Sequence, residues 1–381
     1  MKRENYDLII CGGGAAGLLL ALQLQQDSFF NHHRVLIIDK DKKNTNDRTW
    51  CFWEKEPGAL EALVYHSWDQ ALFRSKGYEN TLPLAPYSYK MIRGVDFYAH
   101  ALQQLEQNDQ FHWLTAHIDS LESHNSHTLV HTSEGIFTAP RVFSSLYQPK
   151  RAALQDRYPV LQQHFVGWIV ETENHCFTPD QMTFMDFSVP QEGATRFMYV
   201  LPFATNKALL EDTLFSAELL ATQAYEKAIE RYLVGLNAGN YSIQEKEQGS
   251  IPMTAYPFQK HNTPSLLHIG TAGGWTKAST GYTFQNTLEQ IQKLIPFLKQ
   301  NQPLHQFHRV TKFGFYDMLF LDVLAKYNGL GSQLFTLMFQ NNPVQRIFRF
   351  LDNKTHFGED LLIMRSFPKR WFLSALWKRL F

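Results

Sequence analysis

The chain has 381 residues, a formal net charge of zero and 14% aromatic residues. Its length exceeds one average domain and allows a large core, while the missing basic excess removes the simplest electrostatic case for nucleic acid as a partner. Three widely spaced cysteines, Cys11, Cys51 and Cys176, fit a reducing compartment better than a disulfide framework, and no CxxC pair suggests a metal.

The chain enters a strand by Tyr6, which leaves no room for a signal peptide, and no apolar run approaches the roughly 18 residues of a spanning helix. A cytoplasmic protein is expected, soluble or seated on a membrane surface. Asp7 to Cys11 is a short apolar run, and Gly12-Gly13-Gly14-Ala15-Ala16-Gly17 follows it directly. Gly12 permits a tight turn, Gly14 lets backbone approach a pyrophosphate, and Gly17 lets the helix from Ala15 to Gln26 pack close to the strand. Amides at that helix start, from Ala15 and Ala16, face the phosphate charge. Val35 to Ile38 is the second strand and Asp39, 22 residues after Gly17, places a carboxylate where a ribose hydroxyl pair sits. The unit predicts an adenine dinucleotide, NAD or FAD, and argues against NADP.

Lys40 to Asp47 is polar. The cluster Arg48-Thr49-Trp50-Cys51-Phe52-Trp53 then either walls a flat cofactor or packs a loop. Residues 66–92 read as short strands broken by Gly77, Pro83 and Pro86, and Asp96 is placed as the N-cap of a helix over Phe97 to Gln107. Phe111 to Glu122, His127 to Ser133 and Ile136 to Leu146 alternate like a three-stranded meander inserted into a parallel sheet. Beyond Pro159 longer strands, Phe165 to Thr172, Met182 to Phe187, Thr195 to Pro202 and Ala208 to Ser216, predict a mixed or antiparallel sheet of a second lobe. A helix over Glu218 to Leu236 follows. Leu266 to Ile269, the glycine turn Gly270 to Gly274, the loop around Thr280-Gly281-Tyr282 and a helix from Phe284 to Lys299 predict a return to the first lobe.

The end of the chain is helical in pattern. Its last segment, Phe367 to Phe381, carries four basic residues and no acid, which suits either an interfacial helix on an anionic membrane or a helix docked on the core by its aromatics. His164 and His268 show no ligand spacing.

On Ala208 to Phe215 the strand period puts Leu209, Glu211, Thr213 and Phe215 on one face and Leu210, Asp212 and Leu214 on the other. Burial among such neighbours raises a carboxyl pKa and keeps a proton available near neutrality, as a general acid requires. A solvated carboxylate at a sheet edge is the alternative. Spacing does not rank Glu211 against Asp212.

These residues together resemble the bacterial lycopene beta-cyclases, flavoproteins of carotenoid synthesis. The resemblance runs through the N-terminal glycine unit, Asp47-Arg48-Thr49-Trp50-Cys51-Phe52-Trp53, Arg93-Gly94-Val95-Asp96-Phe97, Gly167-Trp168, Met185-Asp186-Phe187, Tyr199-Val200-Leu201-Pro202, Leu210-Glu211-Asp212-Thr213, Thr280-Gly281-Tyr282 and Arg349-Phe350-Leu351, in order along nearly the whole chain. It implies an α/β fold with a Rossmann-like, glutathione-reductase-type FAD-binding domain, a second β-sheet substrate domain and a helical C-terminal region. Residues 1–60, 93–158 and 265–300 would form the first, 61–92 and 159–264 the second, and 301–381 the third.

It further implies FAD held by Gly12, Gly14, Ala15, Ala16, Gly17, Asp39, Lys40, Arg48, Thr49 and Arg93, with Gly270, Gly273, Gly274, Thr280, Gly281 and Tyr282 near the flavin, and Glu211 as the catalytic carboxylate beside Asp212. Two departures stand out. Gly270-Thr271 replaces the Gly-Asp usual in related flavoproteins, and Lys277-Ala278-Ser279 replaces the His-Pro found in many cyclases, so that Lys277 is expected to bring a positive charge to the flavin.

The implied reaction is a redox-neutral, proton-initiated cyclisation of the ends of lycopene or a related linear carotene to beta-rings, giving beta-carotene by way of gamma-carotene. Reduced FAD would stabilise the carbocation, with NAD(P)H as external reductant and peripheral contact with a membrane. The rivals are an FAD-dependent oxidoreductase, either a monooxygenase or a prenyl reductase, and a non-catalytic prenyl or flavin carrier.

Overall fold

The computed structural model describes residues 3–308 and 311–380. At its centre is a five-stranded parallel sheet in the order Leu266–His268, Arg141–Ser144, Leu8–Cys11, Val35–Asp39, Phe111–Thr115. Both faces of it are covered, which is why its strands read as unbroken apolar runs. Leu8, Ile10, Val35 and Ile37 pack on the helices Ala15–Gln26, Gly94–Glu106 and Phe284–Lys299. Ile9, Cys11, Leu36 and Ile38 pack on a second, four-stranded sheet.

That second sheet differs from the expected meander. Ile118–Ser123, Thr128–Thr132 and Gly135–Ala139 are antiparallel, and Arg3–Asn5 adds a parallel fourth strand. The flanking segments Phe111–Thr115 and Arg141–Ser144 belong instead to the parallel sheet. The meander interrupts that sheet in sequence only. The helix expected from Asp96 starts at Gly94, with Arg93 as its N-cap and Asp96 inside its first turn. Leu266–His268 pairs in parallel with Arg141–Ser144, so the late strand does rejoin the first sheet.

The largest sheet has seven strands in the order Tyr241–Met253, Leu161–Thr172, Lys207–Ser216, Thr195–Ala204, Gln181–Asp186, Gln70–Ser75, Tyr78–Pro83. Thr195–Ala204 and Lys207–Ser216 form a hairpin closed by Thr205 and Asn206. The 13-residue strand Tyr241–Met253 was not among the expected elements, because its charged middle lacks the apolar alternation that marks a strand. Val166, Trp168, Leu210 and Leu214 bury one face of the sheet against the helix Thr222–Gly235. The opposite face, with Ile169, Leu209, Phe197 and Phe215, joins a large aromatic core shared with the C-terminal helices. A three-stranded antiparallel sheet, Thr49–Glu54, Ser88–Arg93 and Val64–Trp68, lies alongside.

Among the described residues, five α-helices follow, Lys312–Lys326, Gly331–Asn341, Val344–Leu351, Phe357–Arg365 and Lys369–Leu380. The last docks on the core by its aromatics, as one of the two expected possibilities has it. Phe367, Phe372 and Ala375 meet the aromatic core, Trp371 stacks on Tyr327, and Arg379 grips Asp322 at 2.6 Å. Leu373 and Trp377 remain 61% and 67% exposed. Phe381 lies outside the described residues. No helix among those described is long and apolar enough to cross a membrane.

Candidate active site

A cavity of about 480 Å³ runs between the glycine turn at the C-terminal end of Leu8–Cys11 and the seven-stranded sheet. One end of it is backbone. Gly12 sits at φ +103°, and a Cβ there would lie 2.1 Å from Ser145 Oγ. A Cβ on Gly17 would lie 2.0 Å from the Gly12 carbonyl oxygen, so the helix Ala15–Gln26 reaches its strand only through a glycine. Gly14 differs from both, since a Cβ on it meets nothing within 4 Å. It faces the cavity, and as N-cap it offers no side chain to the free amides of the first turn. A phosphate would satisfy them.

The carboxylate of Asp39 holds this turn. It accepts the Gly13 N–H at 2.6 Å and the Asp41 N–H at 2.8 Å, with Lys43 Nζ at 3.3 Å. Further along, the helix Phe284–Lys299 likewise starts without a side-chain cap, and Thr283, Phe284 and Thr287 at its start line the cavity. Gln163 Oε1, Thr280 Oγ1 and Thr287 Oγ1 are buried there without protein partners. An elongated ligand with phosphates at one end and a polar ring at the other fits two uncapped helix starts and three orphaned oxygens.

The far wall is built by sheet register. Tyr199 pairs with Glu211, Glu211 with Gly167, and Gly167 with Glu247, in one row across four adjacent strands. Lacking a side chain, Gly167 lets the acids on either side lean together. A Cβ on it would lie 2.9 Å from Glu211 Cγ and 3.1 Å from Glu247 Cγ. Both acids line the cavity. Burial first, then the charge of Glu247, hold the Glu211 carboxyl protonated far above the usual carboxylate range. Burial also raises Glu247, against hydrogen bonds from Glu211 and Thr49 and the charge of Arg48, which favour its ionised form. Thr49 Oγ1 donates to Glu247 Oε2 at 2.8 Å.

The remaining wall is aromatic. Tyr199 donates to Tyr89 at 2.8 Å, and Phe165, Phe184, Phe197 and Tyr282 complete it. Of the expected tryptophan cluster, Trp50 and Cys51 line the cavity, while Trp53 stacks on Phe348 with centroids 4.3 Å apart. The cluster forms a strand, Thr49–Glu54, with one part of it on the cavity wall and one part packed in the core.

Several expected site residues lie elsewhere. Asp212 points through the sheet and is gripped by Arg196, with Nη2 to Oδ2 at 2.7 Å and both side chains buried. The strand period separates it from Glu211, so it belongs to the core beneath the helix Thr222–Gly235. Lys277 does not bring a charge to the cavity. Its Nζ meets Asp317 at 2.9 Å and Asn353 at 2.7 Å among the C-terminal helices, where the carboxylate neutralises it. Arg93 pairs with Glu245 at 3.2 Å and does not line the cavity. Lys40 is exposed. Gly273 and Gly274 shape the turn that Gly270 begins, with Gly274 at φ +72°, and only Gly270 of the three reaches the lining. Ala15, Ala16, Arg48, Thr49, Thr280, Gly281 and Tyr282 do line it.

Glu247 was missed. The single hint of it in the sequence is the spacing of Glu245 and Glu247 at period two, which reads equally as a solvated edge. His164 and His268 are structural, the first between Tyr225 and Ser216 and the second against Arg151. Burial pushes each down to about 4.

A family model described as Lycopene cyclase protein matches residues 7–376. Among curated relatives, the lycopene beta-cyclase of Pantoea ananas is 24% identical over 98% of both chains. That of Pseudescherichia vulneris is 27% identical over 73% of this chain and 70% of its own. The chloroplastic lycopene beta cyclase of Arabidopsis thaliana is 26% identical over 75% of this chain, which spans 59% of that protein. Among solved structures, a geranylgeranyl bacteriochlorophyll reductase-like protein of Thermoplasma acidophilum superposes with a TM-score of 0.62 at 12% identity, covering 96% of each chain. A halogenase PltM variant in complex with FAD gives 0.59 at 13% identity, covering 97% of this chain and 85% of its own. The fold is thus that of FAD-dependent monooxygenases and geranylgeranyl reductases.

Gly14 has φ −80° and ψ −170°, which any residue adopts, so Gly14→Val fills the cavity end without straining the backbone. Its unfolding free energy in urea should match the parent within about 1 kcal/mol, while calorimetric titration with FAD should show binding lost. Undiminished binding would remove this turn from the cofactor site.

Proposed function

The chain belongs to the lycopene cyclase family, and we propose that it closes the linear ends of lycopene into beta-rings by proton-initiated, redox-neutral cyclisation, giving beta-carotene by way of gamma-carotene. The observation that carries this is Glu211, an acid held protonated by burial and by Glu247 on the wall of an aromatic cavity. An oxidoreductase on the same fold has no need of such an acid.

In this reading residues 1–60, 93–158 and 265–300 hold FAD, and residues 61–92 and 159–264 face the carotene. Gly14, Ala15 and Ala16 would hold the pyrophosphate, Asp39 would hold the turn beside the adenosine ribose, and Gly270 with Thr280 to Tyr282 and the start of the helix Phe284–Lys299 would hold the flavin end. Bound there and kept reduced by NAD(P)H, FAD would supply negative charge to offset the substrate cation, an effect that low dielectric strengthens.

The other work falls to side chains. Glu211 gives its carboxyl proton to the terminal double bond. Tyr89, Phe184, Phe197 and Tyr199 exclude water and turn π faces toward the positive charge, an attraction of about 2 kcal/mol per desolvated contact. Tyr199 donates to Tyr89, and burial pushes both phenols up, so neither rivals Glu211 as the proton donor. An internal double bond closes the six-membered ring, and loss of a ring proton ends the reaction.

The carotene dissolves in bilayers, and the helix Lys369–Leu380 supplies the contact. It exposes Leu373 and Trp377 together with Lys369, Arg370 and Lys378, the composition of an interfacial helix on an anionic surface. The double variant Leu373→Ser, Trp377→Ser should sediment at least severalfold less with phosphatidylglycerol vesicles than the parent, with unchanged FAD binding. Equal sedimentation would place the membrane contact elsewhere.

Incubated without oxygen with lycopene and chemically reduced FAD, the protein should give cyclic product of unchanged mass. Glu211→Gln should lower turnover by about 10³-fold or more, the scale of a lost general acid in a site that still binds, while retaining flavin. Substantial activity in that variant would strip Glu211 of its role, and NAD(P)H consumed in proportion to product would favour the oxidoreductase.

A further inference from the structure

Resting on the cyclase reading, we propose that Glu247 is the second half of the acid: Glu211 and Glu247 hold one proton between them across Gly167, give that proton to the carotene, and take up a different proton from the closed ring within the same turnover.

The geometry leaves little else for Glu247 to do. Gly167 lies between the two acids in the sheet register, and its missing Cβ is the space through which they meet. Glu247 Oε1 is buried without an ordinary donor in reach, whereas Oε2 accepts from Thr49. A proton retained on Glu211 supplies the donor that Oε1 lacks. Thr49 and Arg48 favour the anion on Glu247, which sets the asymmetry. Glu247 ionises first and Glu211 keeps the proton, as two like carboxyls at one site must divide their charge.

Other groups around the pair do not replace it. Cys51, Tyr199 and Tyr282 face Glu211, and burial raises all three well above neutrality, so they stay uncharged. Arg48 and Glu245 are the charges felt by Glu247, and Glu245 is held by Arg93 and Asn46.

The step balances without an oxidant or reductant. The O–H bond of Glu211 breaks as a C–H bond forms on the terminal alkene, leaving a tertiary cation. Ring closure breaks the π bond of an internal alkene as one C–C bond forms, and moves the positive charge onto a ring carbon. Both carboxylates are then ionised against each other, a state the neighbouring cation offsets and which makes the pair a strong base. A C–H bond of the ring breaks, its electrons form the ring double bond, and that proton passes to the pair.

The test uses the full chain loaded with FAD, without carotene. Infrared difference titration should show a protonated-carboxyl band that persists above neutral pH and is absent from Glu211→Gln. Removing the anion in Glu247→Gln removes the repulsion opposing loss of the Glu211 proton, so the band should titrate at lower pH, by about one unit or more. The alkaline limb of the turnover profile should move in the same direction. Gly167→Ala keeps both acids and wedges them apart, so it should shift the band likewise even if Glu247→Gln does not fold. A band whose midpoint stays put in these variants overturns the shared proton. Because the band is read without substrate, a normal band with no product from lycopene would sink the cyclase reading and leave the pair standing.

Discussion

Two carboxyl groups brought together on the wall of a largely enclosed cavity resist both being charged, and that constraint organises the proposed site. Glu211 and Glu247 sit on different strands, each one register step from a glycine, with buried protein behind them. Water would dissolve the effect by solvating both charges. The seven-stranded sheet and the aromatic wall shield the pair on the protein side of the cavity, and an apolar ligand filling the cavity would displace the water on the other.

The parallel sheet provides the complementary end. Its strands stop at a turn whose glycines allow a helix start to face the cavity, and a second helix start, that of Phe284–Lys299, faces it from the other side. Both concentrate positive partial charge. Thr49 joins the two halves physically. It lies on the Thr49–Glu54 strand that follows the nucleotide-binding unit, lines the cavity, and donates to Glu247. Thr49 therefore touches the cavity and the acid pair at once.

What the sequence made legible follows the range of the interactions. The glycine turn, Asp39 and the helix Ala15–Gln26 were readable because their geometry is local. The opposite faces of Glu211 and Asp212 were readable from strand period, yet which face met a cavity was not, because the arginine that neutralises Asp212 sits on the neighbouring strand. Lys277 misled for the same reason, since its partner Asp317 is contributed by a helix 40 residues on. Glu247 stayed hidden because its importance is created by pairing across Gly167, and a polar run such as Tyr241–Met253 gives no apolar period to announce the strand. The terminal helix posed a false choice: one face docks and another stays exposed.

The central claim is that a proton on the buried carboxyl pair opens the reaction. It is tested most directly by a single turnover with lycopene, by enzyme equilibrated in D₂O and assayed with reduced FAD under anaerobic conditions, followed by mass spectrometry of the carotene. The account predicts one deuterium in each ring formed and none in the acyclic ends. Cyclic product free of deuterium would contradict it.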